Sequence, residues 1–362
     1  AGERVDLIGE LEAPPEDAPW LVPRHVRGRL QVEQVDGWTA GNPVSRLANR
    51  LRRTLADGAR VLPDDHAALF AGLVVGDDRA QSAEDADAFR GAGLGHLLAV
   101  SGQNVAFVLV AMRPLVERLA GRPRLFVVLL ALAGFACVTR AEPSVLRAVA
   151  MAGIATLAAS AGRRATGVQV LALAVVVLVL VDPLLVHALG FRLSVAASAG
   201  ILLLAPTLRD HLPGPAPLAE VVAVTVAAQV AVAPLVVPAF GGLPVASLPA
   251  NVVAAPAAGP VTAWGLTGGL LAGVLPDAAA SLLHLPTRVL LGWIDAVAHL
   301  AIRLPLGELG APHLVLLVAF GVLALVARAR RRRIVAVAAT LVLLLVLVQP
   351  ALALRRPHPV EV

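Results

Sequence analysis

The chain has 362 residues, 58% of them hydrophobic, with a formal net charge of +5 and a mean hydropathy of +0.80. Apolar stretches of about 20 residues recur from residue 94 to residue 354, the length a helix needs to cross about 30 Å of hydrocarbon. This excludes a soluble globular domain, whose apolar runs are broken far more often, and gives an all-α polytopic membrane protein.

Every one of the 30 basic residues is arginine, and tyrosine is absent, a bias expected of a GC-rich coding sequence. Cys137 is the only cysteine, which excludes an intrachain disulfide or a cysteine-based metal site. The chain opens at Ala1 without methionine and without a signal peptide, so a processed, trimmed or truncated product is expected.

Residues 1–42 alternate apolar and polar side chains in AGERVDLIGELEAP and RGRLQVEQVDGW, the period of half-exposed strands. Forty residues are too few for an independent β-domain. They read as the remainder of a larger one, or as a small domain leaning on its neighbour. Residues 43–60 predict an amphipathic helix, capped by Asn42, started by Pro43 and ended near Gly58. Arg46, Arg50 and Arg53 fall on one side and Val44, Leu47, Leu51 and Leu55 on another, as on a membrane surface or against a neighbouring helix. Shorter helices follow over 64–78 and 84–93, giving a surface region from 43 to 93.

About ten crossings are predicted between 94 and 354: 94–112, 125–140, 145–161, 167–182, 185–206, 218–237, 245–275, 279–302, 312–327 and 334–353, before a tail at 355–362. The seventh is too long for one simple helix and holds Pro249, Pro256, Gly259 and Pro260, so a broken or re-entrant segment is expected there. Counted as one crossing, it leaves Arg113, Arg118, Arg122, Arg124, Arg163, Arg164, Arg209 and the cluster from Arg328 to Arg333 on one side. Positive charge makes that side cytoplasmic and places the region before residue 94 and the C-terminus outside.

The polar residues inside these spans are the candidate sites. Read as a helix, residues 93–107 put Gly95, Ala99, Gly102 and Ala106 on a narrow face suited to close helix packing. His96, Ser101, Gln103 and Asn104 occupy the other sides and need protein or water as partners. Ser101 as a nucleophile requires a base within hydrogen-bond reach. His96, five residues away, points about 140° from it on a regular helix, so a lining or packing role is the better reading. Arg147 and Arg192 each cost about 2.5–3.5 kcal/mol in a span and usually face the interior. Both suit contact with a polyanion, although Arg147 equally suits snorkelling or pairing with Glu142 or Asp182. Gln229 and Asn251 stand beside helix-breaking prolines and fit a pore lining or plain interhelical hydrogen bonds. Asp295 and His299 are i,i+4 neighbours able to share a hydrogen bond, as a structural pair or a proton relay. No HExxH, HxH or P-loop pattern occurs, so no metal, no cofactor and no NTPase or other enzyme activity is expected.

Three motifs carry a resemblance. GLGHLLAVSGQNVAFVLV, preceded by AALFAGLVVGDD, resembles the signature of the ComEC competence family. The block EPSVLRAVAMAG through GFRLSVAASAGILLL and the block VAAQVAVAPLVVPAFGGLPVASLPANVVAAP are similar to its central and following regions, so that the resemblance covers residues 43–350. The family's SGLH-like element stands here as SGQN, with Asn104 at the histidine position.

The resemblance implies a polytopic channel that carries single-stranded DNA across the cytoplasmic membrane in natural transformation. It also implies that residues 1–42 are the end of an OB-like domain. No HxHxDH motif is present, so the nuclease activity of the family's metallo-β-lactamase-like domain is not carried over. The implied partners are single-stranded DNA, membrane lipid, separate receptor, nuclease and cytoplasmic motor proteins, and further copies of the chain in a homo-oligomer. A DNA path needs cationic and hydrogen-bonding groups and often aromatic stacking. With 3% aromatics, stacking is expected to be sparse, with Trp264, Phe240 and Trp293 as candidates. A permease for a smaller solute, using the broken segment at 245–260, is the alternative. An intramembrane hydrolase built on Ser101 is third.

Overall fold

The computed structural model of the chain describes residues 3–13, 26, 28–98, 100–313 and 315–316. The alternating N-terminal pattern becomes an antiparallel pair, β1 (Arg4–Glu12) and β2 (Arg29–Thr39), whose register shifts twice, beside Asp6 and beside Ile8. Gly9 is required at the second shift because a Cβ there would overlap the Gln31 carbonyl oxygen. The pair leaves Leu7, Ile8, Val32 and Val35 exposed.

Helix α1 (Pro43–Ala59) starts as its sequence predicts. Asn42 Oδ1 accepts a hydrogen bond from Ser45 N at 2.8 Å, and Pro43 fills the first turn, where a missing N–H costs nothing. Helices α2 (Asp64–Val75) and α3 (Ala83–Gly91) follow, the latter capped by Ser82, which accepts from Asp85 N. Next come α4 (Gly102–Val116), α5 (Gly121–Val138), α6 (Pro143–Ser160), α7 (Gly167–Val181), α8 (Leu189–His211) and α9 (Ala216–Phe240). After a two-residue strand β3 (Leu243–Pro244) come α10 (Ser247–Ala272), α11 (Asp277–Leu283) and α12 (Leu285–Arg303), and β4 (Glu308–Leu309) pairs with β3.

The described protein is mostly helical. Five helices, α5, α6, α8, α9 and α12, are long and apolar enough to cross a membrane, and α4 and α7 are shorter apolar helices. At most 28% of the most apolar stretch of each long helix is buried. Leu130, Leu157, Leu203, Val230 and Leu300 stand exposed instead, an apolar perimeter suited to lipid rather than water. This is the surface of a membrane protein.

Several expected crossings take a different form. The run 94–112 is not one helix: Gly95–Leu97 forms a 3-10 turn, Ser101 is extended, and α4 begins only at Gly102. The stretch 185–206 splits into a 3-10 turn at Pro183–His187 and α8. Residues 279–302 divide between α11 and α12 at His284, whose fully buried ring meets the Phe70 ring edge-on at 5.4 Å between centroids. Apart from residues 312, 313, 315 and 316, the crossings expected at 312–327 and 334–353, with the Arg328–Arg333 cluster, lie outside the described residues.

The broken segment expected at 245–275 is instead the continuous helix α10, with Pro256 and Pro260 inside it. A proline removes one ladder bond and opens the preceding turn. Here a neighbour meets that turn, since Trp293 Nε1 of α12 donates to the Val253 carbonyl at 2.9 Å. Ala250, Ala254, Ala257, Ala258, Gly265 and Gly268 are buried along α10, and these small residues let α1, α2, α4, α9 and α12 approach it. Tertiary packing keeps the helix intact.

Three apolar clusters organise the bundle. Around α10 lie Leu55, Phe70, Val74, Phe89, Leu291 and Ile294 from α1, α2, α3 and α12. Val105, Leu132, Phe135 and Val145 join α4, α5 and α6. Ala205, Ala223 and Ala227 join α8 and α9, where a Cβ at Gly200 would overlap Ala231.

Candidate functional site: a cleft between α4 and α10

The chain enters the site from α3 through Gly93, whose φ of +70° suits glycine and whose Cα lies so close to Ser247 that a Cβ would overlap it. Asn251 Nδ2 donates to the Gly93 carbonyl at 3.2 Å and to the Ser247 carbonyl at 2.7 Å. Gln229 Nε2 of α9 donates to Ser247 Oγ at 3.0 Å. Gln229 and Asn251 therefore knit α9, α10 and the Gly93 turn together as interhelical donors.

Beyond that turn the backbone is not helical, so its carbonyls need remote partners. Gln81 Nε2 of the α2–α3 loop donates to Leu98 O at 3.1 Å, and Ser144 Oγ of α6 donates to Val100 O at 2.8 Å. The chain then turns into α4 with its first residues aimed at α10. A small cleft of about 10 Å³ lies between them. His96, Ser101, Gln103 and Asn104 all line it, together with Phe107 of α4 and Thr262 of α10.

Within the cleft the four polar residues differ. Gln103 and His96 are exposed to the open space. Asn104 is buried and committed: its Nδ2 donates to Leu73 O at 2.6 Å, and its Oδ1 accepts from Ser101 Oγ at 3.3 Å. Ser101 Oγ thus bonds to an amide and to no histidine among the described residues.

Arg147 stands behind the cleft. It is 9% exposed, its Nε donates to Ser194 Oγ at 2.8 Å, and its Nη1 donates to Ser198 Oγ at 2.6 Å and to Met151 Sδ at 3.2 Å. Ser194 and Ser198 are i,i+4 neighbours on α8. These neutral groups, and no carboxylate among the described residues, receive the guanidinium. Nη2 lies against Gly102, at the start of α4, where a Cβ would overlap it. Glycine at 102 thus brings a buried cation to the backbone that opens the polar cleft.

The remaining expected sites lie elsewhere. Arg192 is exposed in the first turn of α8. Asp295 and His299 do meet, with Oδ1 to Nδ1 at 3.2 Å, and Asp85 of α3 joins them. The packing stripe is dispersed, because residues 95–101 do not follow a helical period. Gly95 faces Arg90, Gly102 faces Arg147 and Ala148, Ala106 is exposed, and Ala99 lies outside the described residues. The indole N–H groups of Trp264 and Trp293 are bonded to Leu283 O and Val253 O, which makes both tryptophans helix ties.

Sequence reasoning missed Phe107, Thr262, Ser194 and Ser198. The two serines carried a signal, an i,i+4 hydroxyl pair in FRLSVAAS facing a span that holds an arginine. Phe107 carried none, because only Gly259 opposite it makes room for its ring.

No solved structure matches the chain. The chain is 25% identical over 305 residues to ComE operon protein 3 of Bacillus subtilis (strain 168), an alignment covering 81% of this chain and 38% of that protein. The chain therefore spans little more than a third of the length of this relative. The description of the competence protein family matches residues 73–334, which include the cleft, Arg147 and the whole of α10. On that match, the chain belongs to the competence protein family.

Proposed function

We propose that the chain is a transmembrane channel through which single-stranded DNA enters the cell across the cytoplasmic membrane during natural transformation. Family membership supports a role in competence, and the relative is named for the ComE operon. The observation that carries the channel reading is Arg147. A guanidinium buried in the helix bundle is held there by two serine hydroxyls and a thioether, and its Nη2 lies against Gly102, the residue between the cleft-lining Ser101 and Gln103. Phosphodiesters are the anions that such a group serves in a DNA path.

In this reading His96 and Gln103 line the path with neutral hydrogen-bonding groups, and Ser101 and Asn104 hold its wall. Arg192 meets DNA at the outer end of α8. The arginine-rich turns at 113–124, at 163–164 and at 209 face the cytoplasm, and the region before residue 94 and the C-terminus face outside. The β1–β2 pair belongs to an OB-like unit. The chain performs no chemistry itself; a receptor, a nuclease and a motor on other chains deliver, process and pull the strand. The broken segment that also suited a small-solute permease is a continuous helix instead.

The test is uptake of labelled DNA into the cytoplasm of a transformable host. Deleting the gene that encodes this chain should abolish uptake, and re-expressing the gene should restore it. Normal uptake in the deletion strain would remove the proposal.

A further inference from the structure

Asp85 of α3 and Asp295 and His299 of α12 place one ligand atom each within 4.8 Å of one another. The His299 ring lies between the two carboxylates, with Nδ1 3.2 Å from Asp295 Oδ1 and Nε2 3.9 Å from Asp85 Oδ1. All three side chains are half-buried, and Asp85 and Asp295 line a small cleft of about 10 Å³ that Asp65 and His66 of α2 also line. His66 Nδ1 is fully buried without a hydrogen-bond partner.

Asp57, Asp77, Asp87, Glu117 and Glu220 each pair with an arginine. Among the described residues Asp65, Asp85 and Asp295 form no arginine pair. His299 Nδ1 also lies 3.1 Å from the Asp295 backbone carbonyl, so Nε2 is the ring nitrogen left to present a lone pair toward Asp85. Converging carboxylates and a lone pair are what a bound cation satisfies.

From this we propose a divalent transition-metal site at Asp85, Asp295 and His299, a site independent of the DNA reading. Two ligands at i,i+4 on one helix face, completed by a third from another element, is a recurrent metal-binding geometry. Ligands about 2.0–2.2 Å from an ion stand roughly 3–4 Å apart, so the site closes by no more than about 2 Å. The oxygen-rich set with one imidazole suits zinc, manganese or cobalt better than a thiolate-seeking ion. Asp65 stands on the cleft wall as a fourth ligand or as the acceptor for a bound water. The ion would clamp α3 to α12 and so hold the Gly93 turn that α3 delivers to Asn251. A scan for local metal motifs does not find the site, because its ligands lie 210 residues apart in sequence.

The experiment uses the whole chain, stripped with chelator in detergent and titrated with Zn²⁺ by calorimetry and with Co²⁺ by visible absorption. One equivalent should bind, with d–d bands of a low-coordinate site and a raised thermal midpoint. Asp295→Asn and Asp85→Asn, checked for native elution, should each weaken binding more than about tenfold, whereas Asp57→Asn should not. Asp85→Asn keeps the test open if an α12 variant fails to fold. Absence of binding at millimolar Zn²⁺, or equal binding by the wild type and both variants, would overturn the site. So would a Co²⁺ spectrum of the aquo ion.

Discussion

Replacing Arg147 with methionine separates a functional cation from a structural one. On insertion scales an arginine inside a span costs about 2.5–3.5 kcal/mol, which methionine removes. Against this stand the bonds to Ser194, Ser198 and Met151, each with a net value of about 1–2 kcal/mol. Ser198 Oγ keeps its own bond to the Ser194 carbonyl at 2.9 Å, so only the Ser194 hydroxyl is left without its partner. The three bonds together, about 3–6 kcal/mol, equal or exceed the insertion cost relieved. Arg147→Met should therefore destabilise the protein by up to about 3 kcal/mol, with a modestly lowered thermal midpoint.

DNA uptake should nevertheless fall at least about tenfold, the equivalent of one lost phosphate contact of 1.4 kcal/mol. Arg147→Lys should recover part of it, since it restores the charge without the planar fork. The measurements are detergent-based thermal unfolding of purified protein and entry of labelled DNA into a transformable host at matched expression. Wild-type uptake by Arg147→Met would refute the channel role of this residue. Destabilisation beyond about 3 kcal/mol would refute the energetic argument and make Arg147 a packing keystone.

Asn104→Ala removes the donor to the buried Leu73 carbonyl and should cost about 1–3 kcal/mol, read as a lower unfolding midpoint. Gly200→Leu should cost at least about 1–3 kcal/mol by forcing α8 off α9, whereas Gly134→Ala, with open space beside it, should be tolerated. Asp77 lies in the α2–α3 loop. The hydrogen bond from Arg79 holds its carboxyl below the ordinary value of 3.8, aided by the charges of Arg79 and Arg140 and opposed by partial burial. With the native pKa lowered, its contribution is full above pH 3.8 and is lost as pH falls through the native value. Asp77→Asn should therefore be destabilising at pH 7, and its unfolding curve should merge with that of the wild type in strong acid.

Length, hydropathy and motif order by themselves established a membrane protein and its family. Local signals also placed α1, because Asn42, Pro43 and the amphipathic period act within one or two turns. The same local reasoning failed where remote groups decide the backbone. Residues 93–98, 100 and 101 carry the composition of a span, yet Asn251, Gln81 and Ser144 on other elements bind the Gly93, Leu98 and Val100 carbonyls, and the α-helix begins only at Gly102. Conversely, Pro256 and Pro260 announce a break that packing along α10 prevents. His96, Ser101, Gln103 and Asn104 were legible as a polar group, but which of them faces open space and which is tied to the wall was not. Asn104 depends on the Leu73 carbonyl 31 residues away, and Asn251 on Gly93, 158 residues away. Sequence periodicity reports what a segment costs in lipid or water; which distant donor satisfies a given carbonyl is set only when the helices have packed.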